Sequence, residues 1–330
     1  MEIFQELYRN RVDSVSLEFR RFLLDAVDWK DRLIAIQGAR GTGKTTLLLQ
    51  RIKEALPVEK SLYISLDQLF LQRHPLPAVV DHYYKLGVRF VMLDEVHKYP
   101  DWSVVIKTLY DAYPEVRIVF TGSSVLELMK GKGDLSRRMV QYSLPGLSFR
   151  EFLELDRGIR IKPVSLEDIL HHHVSLSREF KVLLDSPLLH FQKYLRVGYY
   201  PFYRENENNY QIRLLNTVNQ ILEADIMAVE QITYPSIRKM KQLLAILSEP
   251  VPFKPNISAL AEQLETKREM VNHFFDILER AALLLLLKNS ARGSTALQKP
   301  EKVFLHNTNL MFALADGHPD KGSLRETFFF

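Results

Sequence analysis

Eight residues, Gly38-Ala39-Arg40-Gly41-Thr42-Gly43-Lys44-Thr45, constrain the fold of this 330-residue chain more than any others. They fit the pattern G-x-x-x-x-G-K-T. They lie between a short apolar run, LIAIQ (33–37), and a stretch from Thr45 to Leu56 that reads as a helix stopped by Pro57. The glycines let the backbone curl into a nest whose N–H groups converge, and the following helix adds its positive end at the same spot. Such a turn is built to hold phosphate. Gly38 through Thr46 (Gly38, Ala39, Arg40, Gly41, Thr42, Gly43, Lys44, Thr45, Thr46) form the cradle. Lys44 reaches the outer phosphates, and Thr45 offers a hydroxyl to magnesium.

The rest of the first half alternates strand and helix. LYISL (62–66), FVML (90–93), VRIVF (116–120) and MVQYSL (139–144) read as strands, separated by helical patterns at Pro75–Leu86 and Trp102–Tyr113. That order predicts an α/β domain with a parallel sheet covered on both faces. After Pro145-Gly146 the patterns become helical to about Ile232. From 236 the order helix, helix, turn, long helix, apolar strand is that of a winged helix. The expected boundaries are an N-terminal helical segment at 1–29, the P-loop core at 30–146, a helical lid at 147–232 and a winged helix at 233–292. Residues 293–330 are expected to begin a further domain. Ending on Phe328-Phe329-Phe330, they leave an apolar helix face unburied, as in a truncated chain.

Three more motifs carry chemistry. FVMLDE (90–95) ends a strand in an acidic pair, placing Asp94 where a carboxylate holds magnesium through water and Glu95 where one activates the attacking water. VRIVFTGSS (116–124) ends a strand in small hydroxyl residues. Ser123 is the first choice for a sensor between water and the γ-phosphate, with Thr121 and Ser124 as alternatives. Arg137-Arg138 precedes the fifth strand, where a guanidinium can stabilise phosphoryl charge, often on a neighbouring subunit. Arg40 can touch phosphate or a neighbouring acid. His171-His172-His173, Trp102 and the aromatics Tyr194, Tyr199, Tyr200, Phe202 and Tyr203 read as surface or packing residues.

Composition excludes other classes. No cysteine occurs, which removes disulfides and thiolate metal sites and fits a cytoplasmic protein. The N-terminus lacks the apolar core of a secretory signal, and Ala281–Leu287 is too short to span a membrane. A net charge of +4 permits an acidic partner without requiring one.

Together GARGTGKTTLL, LDEVHKYPDW, TGSS, LSRRMVQYSLPGLSFREFLEL and YLRVGYYPFY resemble the AAA+ superfamily ATPases of bacteria and archaea that pair an ATPase domain with a nuclease-like C-terminal domain of unknown function. The resemblance runs from about 30 to 290. It implies a P-loop NTPase sheet of the AAA+/ASCE type, a helical lid and a winged helix, with hydrolysis of ATP to ADP and phosphate. Residue by residue, Lys44 and Thr45 match Walker A, Asp94 and Glu95 match Walker B, and the TGSS serines match the sensor. A leucine-small-glycine-arginine motif here reads Leu135-Ser136-Arg137-Arg138. Arg138 takes the finger position, while Arg137 stands in place of the glycine and competes with it.

The partners expected are ATP or ADP, further copies of this chain as a homo-oligomer, and DNA through the winged helix; a membrane is not expected. The alternative is a nucleotide-gated protein-docking scaffold with slow hydrolysis. The region 251–292 carries six Lys/Arg against five Asp/Glu, which is not a basic stripe.

Overall fold

A computed structural model describes residues 2–122, 135–230, 232–248, 255–288, 300–315 and 319–330. The chain forms two compact units, Met1–Pro145 with Arg280–Ala282, and Gly146–Glu279 with Leu283–Phe330.

The first unit is built on a five-stranded parallel sheet, β1 (Leu33–Gln37), β2 (Ser61–Ser65), β3 (Phe90–Asp94), β4 (Arg117–Gly122) and β5 (Val140–Ser143), in the order β2-β3-β4-β1-β5. Alternate residues point to opposite faces, and both faces are buried. Leu33 and Ala35 join Leu62, Ile64, Val91 and Leu93 in one core with helices α5 (Leu76–Lys85) and α6 (Trp102–Ala112). Ile34 and Ile36 join Tyr63, Met92 and Val119 in the other, with α1 (Glu2–Ser14), α2 (Leu23–Ala26) and α3 (Lys44–Ala55). A short helix α4 (Phe70–Arg73) follows β2. Trp102 packs on Phe120, ring centres 5.6 Å apart, as a core anchor.

The second unit begins with α7 (Phe149–Arg157), held by a capping box in which Ser148 and Glu151 satisfy each other's backbone N–H groups. Then come α8 (Leu166–Leu184), α9 (Pro187–Val197) and α10 (Tyr210–Gln220), which runs into a π-helical turn at Ile221–Ile226. Next are α11 (Tyr234–Ser248), α12 (Ile257–Gln263) and α13 (Arg268–Arg280). Tyr194 and Tyr203 are buried against Phe152, so the aromatic cluster is packing. His171, His172 and His173 are exposed.

The chain beyond 292 departs from expectation. Strand β6 (Leu284–Leu287) pairs antiparallel with β7 (Lys302–Leu305), so the boundary expected at 292/293 falls inside one hairpin. Both strands are almost wholly apolar, with Leu284 and Leu286 buried on the first and Val303, Phe304 and Leu305 on the second. Helix α14 (Thr308–Leu314) packs into the same unit, and α15 (Lys321–Phe329) closes the chain. Phe328 meets Phe191 edge-on at 4.9 Å and Phe330 stacks on Phe304 at 5.0 Å. Two of the three terminal phenylalanines thus find partners within the unit, and Phe329 is 93% exposed.

Candidate functional site

The glycine-rich turn leaves the sheet where β1 ends between β4 and β5. Gly38 passes so close to the neighbouring strand's exit that a Cβ would sit 2.3 Å from the Leu144 carbonyl oxygen, which only glycine avoids. Gly41 and Gly43 have φ of 83° and 94°, the left-handed region where glycine is unstrained. Helix α3 starts directly after, at Lys44. Inside the turn Lys44 Nζ donates to the carbonyls of Gly38 and Ala39 at 2.8 and 2.9 Å, and the Thr42 hydroxyl donates to Ala39 at 2.9 Å. The buried cation therefore sits within the curl of the loop.

Asp94, 2% exposed, ends β3 beside this turn. Three hydroxyls converge on its carboxylate. Thr45 Oγ1 donates to Oδ2 at 2.6 Å, Tyr63 OH to the same oxygen at 2.8 Å, and Thr121 Oγ1 to Oδ1. Burial and the neighbouring Asp94 charge push the Tyr63 phenol far up, so it stays a neutral donor. A carboxylate fixed at both oxygens, touching the hydroxyl that opens the phosphate-loop helix, is a hard-oxygen pair of the kind magnesium takes.

Glu95 sits in the left-handed region at φ 56°, a conformation that costs a non-glycine residue about 1 kcal/mol or more. Its backbone N–H donates to Thr121 Oγ1 at 3.1 Å. Burial pushes its carboxyl above the usual range, the Arg40 guanidinium opposes the rise, and Asp94 adds to it. His97 Nε2, itself buried, lies 3.9 Å from the carboxylate. The strained turn holds the second acid apart from the first and in a setting that favours taking up a proton.

The structure brings Gly38–Thr46, Asp94 and Glu95 to one edge of the sheet, and the electrostatic influence of Arg40 reaches Glu95 there. Ser123 and Ser124 lie outside the described residues. Thr121 is described, and its hydroxyl is committed. It donates to Asp94 and accepts from Glu95, so it fixes the acid pair instead of facing a water. Arg138 is at the opposite edge. It precedes β5, which runs parallel to β1 with Val140 beside Ile34 and Ser143 beside Gln37. There its guanidinium meets Asp111 at 3.3 Å, and Arg137 is exposed. Neither arginine stands at its own chain's phosphate loop.

Two residues of this site gave no signal in the sequence. Tyr63 looks like any aromatic in a buried strand until β2 is paired beside β3. Arg21, only 4% exposed, donates to the carbonyl of Thr42 inside the loop and to that of Pro145 at 2.7 Å. The chain ahead of it is held to α3: Gln50 donates to Ser16 and Phe19, both at 2.8 Å, and Lys53 to Asp13 and Val15 at 2.7 and 2.8 Å.

Residues 30–153 match the family profile described as an AAA domain. The match covers most of the first unit and the first eight residues of the second. Residues 188–321 match a second profile, described as a domain of unknown function (DUF8612), which runs across the expected lid, winged helix and tail. The chain is 30% identical over 290 residues to the uncharacterized protein MJ1637 of Methanocaldococcus jannaschii, covering 83% of this chain and 60% of that protein's length. Among solved structures it is similar to AMPPCP-bound DnaA from Aquifex aeolicus (15% identity, 83% of this chain and 86% of that one, TM-score 0.30). Another is PCH-2 of C. elegans (18% identity, 50% and 49%, TM-score 0.29). Scores this low define no common architecture, and the fold rests on the sheet order and the matched profile.

Proposed function

We propose that this chain is a magnesium-dependent ATPase whose cycle, ATP and water to ADP and phosphate, drives a conformational change in a helical lid and winged helix at 147–292. The observation that carries this reading is the 2.6 Å bond from Thr45 to Asp94, with Lys44 inside the loop and Glu95 next in sequence. The backbone of 38–46 would cradle the phosphates and Lys44 would bind the outer ones. Thr45 and Asp94 would hold magnesium with the nucleotide. Among the described residues no group of three or more His, Asp or Glu could hold a metal unaided, so the cation would depend on phosphate and water for its remaining ligands. Magnesium would supply charge neutralisation at the phosphates. Glu95, its carboxyl raised by burial, would orient and deprotonate the attacking water, with Ser123 as sensor.

Arg138 would act on a neighbouring copy, because its edge of the sheet faces away from its own loop. Its pair with half-exposed Asp111 is weak enough to exchange for phosphate.

Measuring ATP affinity by calorimetry beside phosphate release tests the assignment. Lys44→Ala should abolish binding, whereas Glu95→Gln should bind ATP and nearly stop turnover. Equal loss of affinity in both would end the separate roles.

A second reading concerns what the cycle acts on. The exposed positions of α13 and its preceding turn are Glu265, Lys267, Arg268, Glu269, Met270, His273 and Asp276, two Lys/Arg against three acids. Lys288 is bound to Glu279 at 2.7 Å. Lys254 and Arg292, two of the six cations of 251–292, lie outside the described residues. This balance favours the protein-docking scaffold over DNA. Duplex binding at low salt that disappears on joint Lys267→Glu and Arg268→Glu substitution would restore the DNA reading.

No described helix is long and apolar enough to cross a membrane. We place the chain in the cytoplasm on its lack of cysteine.

A further inference from the structure

Beyond the acid pair the chain makes one tight turn, Val96–Lys98, on its way to α6. That turn is pinned along its length. The Glu95 N–H is bound to Thr121, and the Glu95 carbonyl accepts from Lys98 N–H at 2.9 Å. Val96 is fully buried in the core shared with α5 and α6. The Tyr99 hydroxyl accepts from the N–H of Leu76, the first residue of α5, at 3.1 Å. Such a backbone has little freedom left. What it leaves to be set is the Glu95 carboxylate, which swings on several side-chain torsions.

The same turn delivers a second side chain to that carboxylate. His97 Nε2 lies 3.9 Å from Glu95 Oε2, and its side chain is 2% exposed against 21% for that of the glutamate. What is open to water is the acid and not the ring. The separation is about 1 Å beyond a hydrogen bond, a looseness ordinary in a catalytic pair before substrate binds. A side chain needed only to fill this space would be apolar, since burying an imidazole costs free energy unless its nitrogens find partners. Arg40 also acts on Glu95, but it belongs to the phosphate loop, where a bound phosphate competes for its charge. His97 shares its backbone turn with the acid and keeps its bearing whatever the loop holds.

We propose that His97 is a positioning residue for ATP hydrolysis: its Nε2–H holds one oxygen of Glu95 and leaves the other turned to the attacking water. This rests on the role proposed above for Glu95. In the reaction the water oxygen bonds to the terminal phosphorus as the bond to the departing ADP oxygen breaks. The proton of the water goes to Glu95, and His97 keeps its own throughout. The imidazole serves the base as the third member of a triad does, by fixing its direction.

Steady-state turnover and calorimetric ATP affinity of the 330-residue chain test this. His97→Leu should lower kcat by about 10- to 100-fold, part of the roughly 10²–10⁴-fold that a positioned base contributes. KM, ATP affinity and thermal unfolding should change little. His97→Gln carries an amide nitrogen to the place of Nε2 and should recover most of the loss. His97→Asn carries it to the place of Nδ1 and should not. These two polar variants decide the matter if the leucine variant does not fold. In a Glu95→Gln chain, adding His97→Leu should lower the residual turnover no further, because the carboxylate it serves is gone. Equal turnover of the glutamine and asparagine variants would overturn the inference, as would a further multiplicative loss on the Glu95→Gln background. So would a raised KM with kcat unchanged, which would make His97 part of nucleotide binding. Normal turnover in Glu95→Gln would remove the assignment of the base, and this inference with it. Arrested turnover there, beside normal turnover in His97→Leu, would remove the inference alone.

Discussion

Both units bury polar side chains, and they bury them differently. In the first unit, hydroxyls from β2, β4 and α3 converge on Asp94 at one sheet edge. In the second, Asn309 is fully buried on α14 and spends its amide on the main chain and one phenol. It accepts from Tyr199 N–H at 2.8 Å and from Tyr210 OH at 2.5 Å, and donates to Leu195 and Tyr194 at 2.8 and 3.2 Å. Beside it Thr308 donates to Leu195 at 2.7 Å, and Asn307 caps α14 while donating to Tyr200. One network presents a fixed carboxylate to whatever enters the loop; the other closes on itself and joins α9 to α14. In the proposed function the same residue chemistry serves reaction in one unit and cohesion in the other, and substitutions should separate the two.

The largest effect should come from the sheet's other edge. Arg138→Ala is expected to lower ATP turnover by about 10³-fold with ATP affinity little changed, and mixing it with Glu95→Gln chains should recover activity at shared interfaces. Steady-state hydrolysis of the single and mixed proteins decides this. If Arg137→Ala is the costly change, the finger is the more exposed arginine; if neither matters, the pair is surface charge.

Asn309→Leu tests the second network. It strands a backbone N–H, a phenol and two carbonyls, and should cost about 3–5 kcal/mol of stability. Thermal unfolding should shift down by about 10 °C or more. ATP turnover measured well below that transition should be unchanged; a loss of turnover in the still-folded protein would break the division between units.

The strands of the first unit were legible because a buried parallel strand is a short apolar run. β1 lies at its expected residues, and the others shift by one or two. The phosphate loop was legible because its glycines meet backbone demands that no other residue meets. Tyr63, Arg21 and the commitment of Thr121 were not, since each follows from which strand or segment lies alongside, which local pattern does not encode. The pairing of β6 with β7 was missed for the same reason. Fourteen residues separate the two strands, from 288 to 301, far more than the roughly two to five of a hairpin turn that local sequence reveals.

A third test uses pH. His306 has its Nδ1 inaccessible and without a partner, and burial lowers its imidazole to about 4 from 6.5. The folded unit therefore keeps it neutral, while the unfolded chain takes up a proton below 6.5. Its contribution is intact above that pH and is lost as pH falls toward 4, by about 3 kcal/mol at the limit. His306→Leu should flatten that part of the stability profile. Parallel profiles for the two proteins between pH 7 and 4.5 would refute it.

The smallest effect should be Tyr63→Phe, which removes one of three hydroxyls from Asp94. The two remaining donors keep the carboxylate in place, so turnover should fall by about tenfold, with unfolding little affected. A stability loss as large as that of Asn309→Leu would mean that the Asp94 network is cohesive after all.

The tie from Arg21 to Thr42 and Pro145 bears on how this protein can be cut into pieces. The AAA profile begins at residue 30, so a fragment designed on that boundary would discard residues 13–21 and the arginine among them. Two carbonyls around the phosphate loop would lose their donor, and Gln50 and Lys53 of α3 would lose four acceptors. Such a piece would keep every signature residue and still lack the outer brace of its loop. Weak nucleotide binding by it would measure the dissection and not the intact chain.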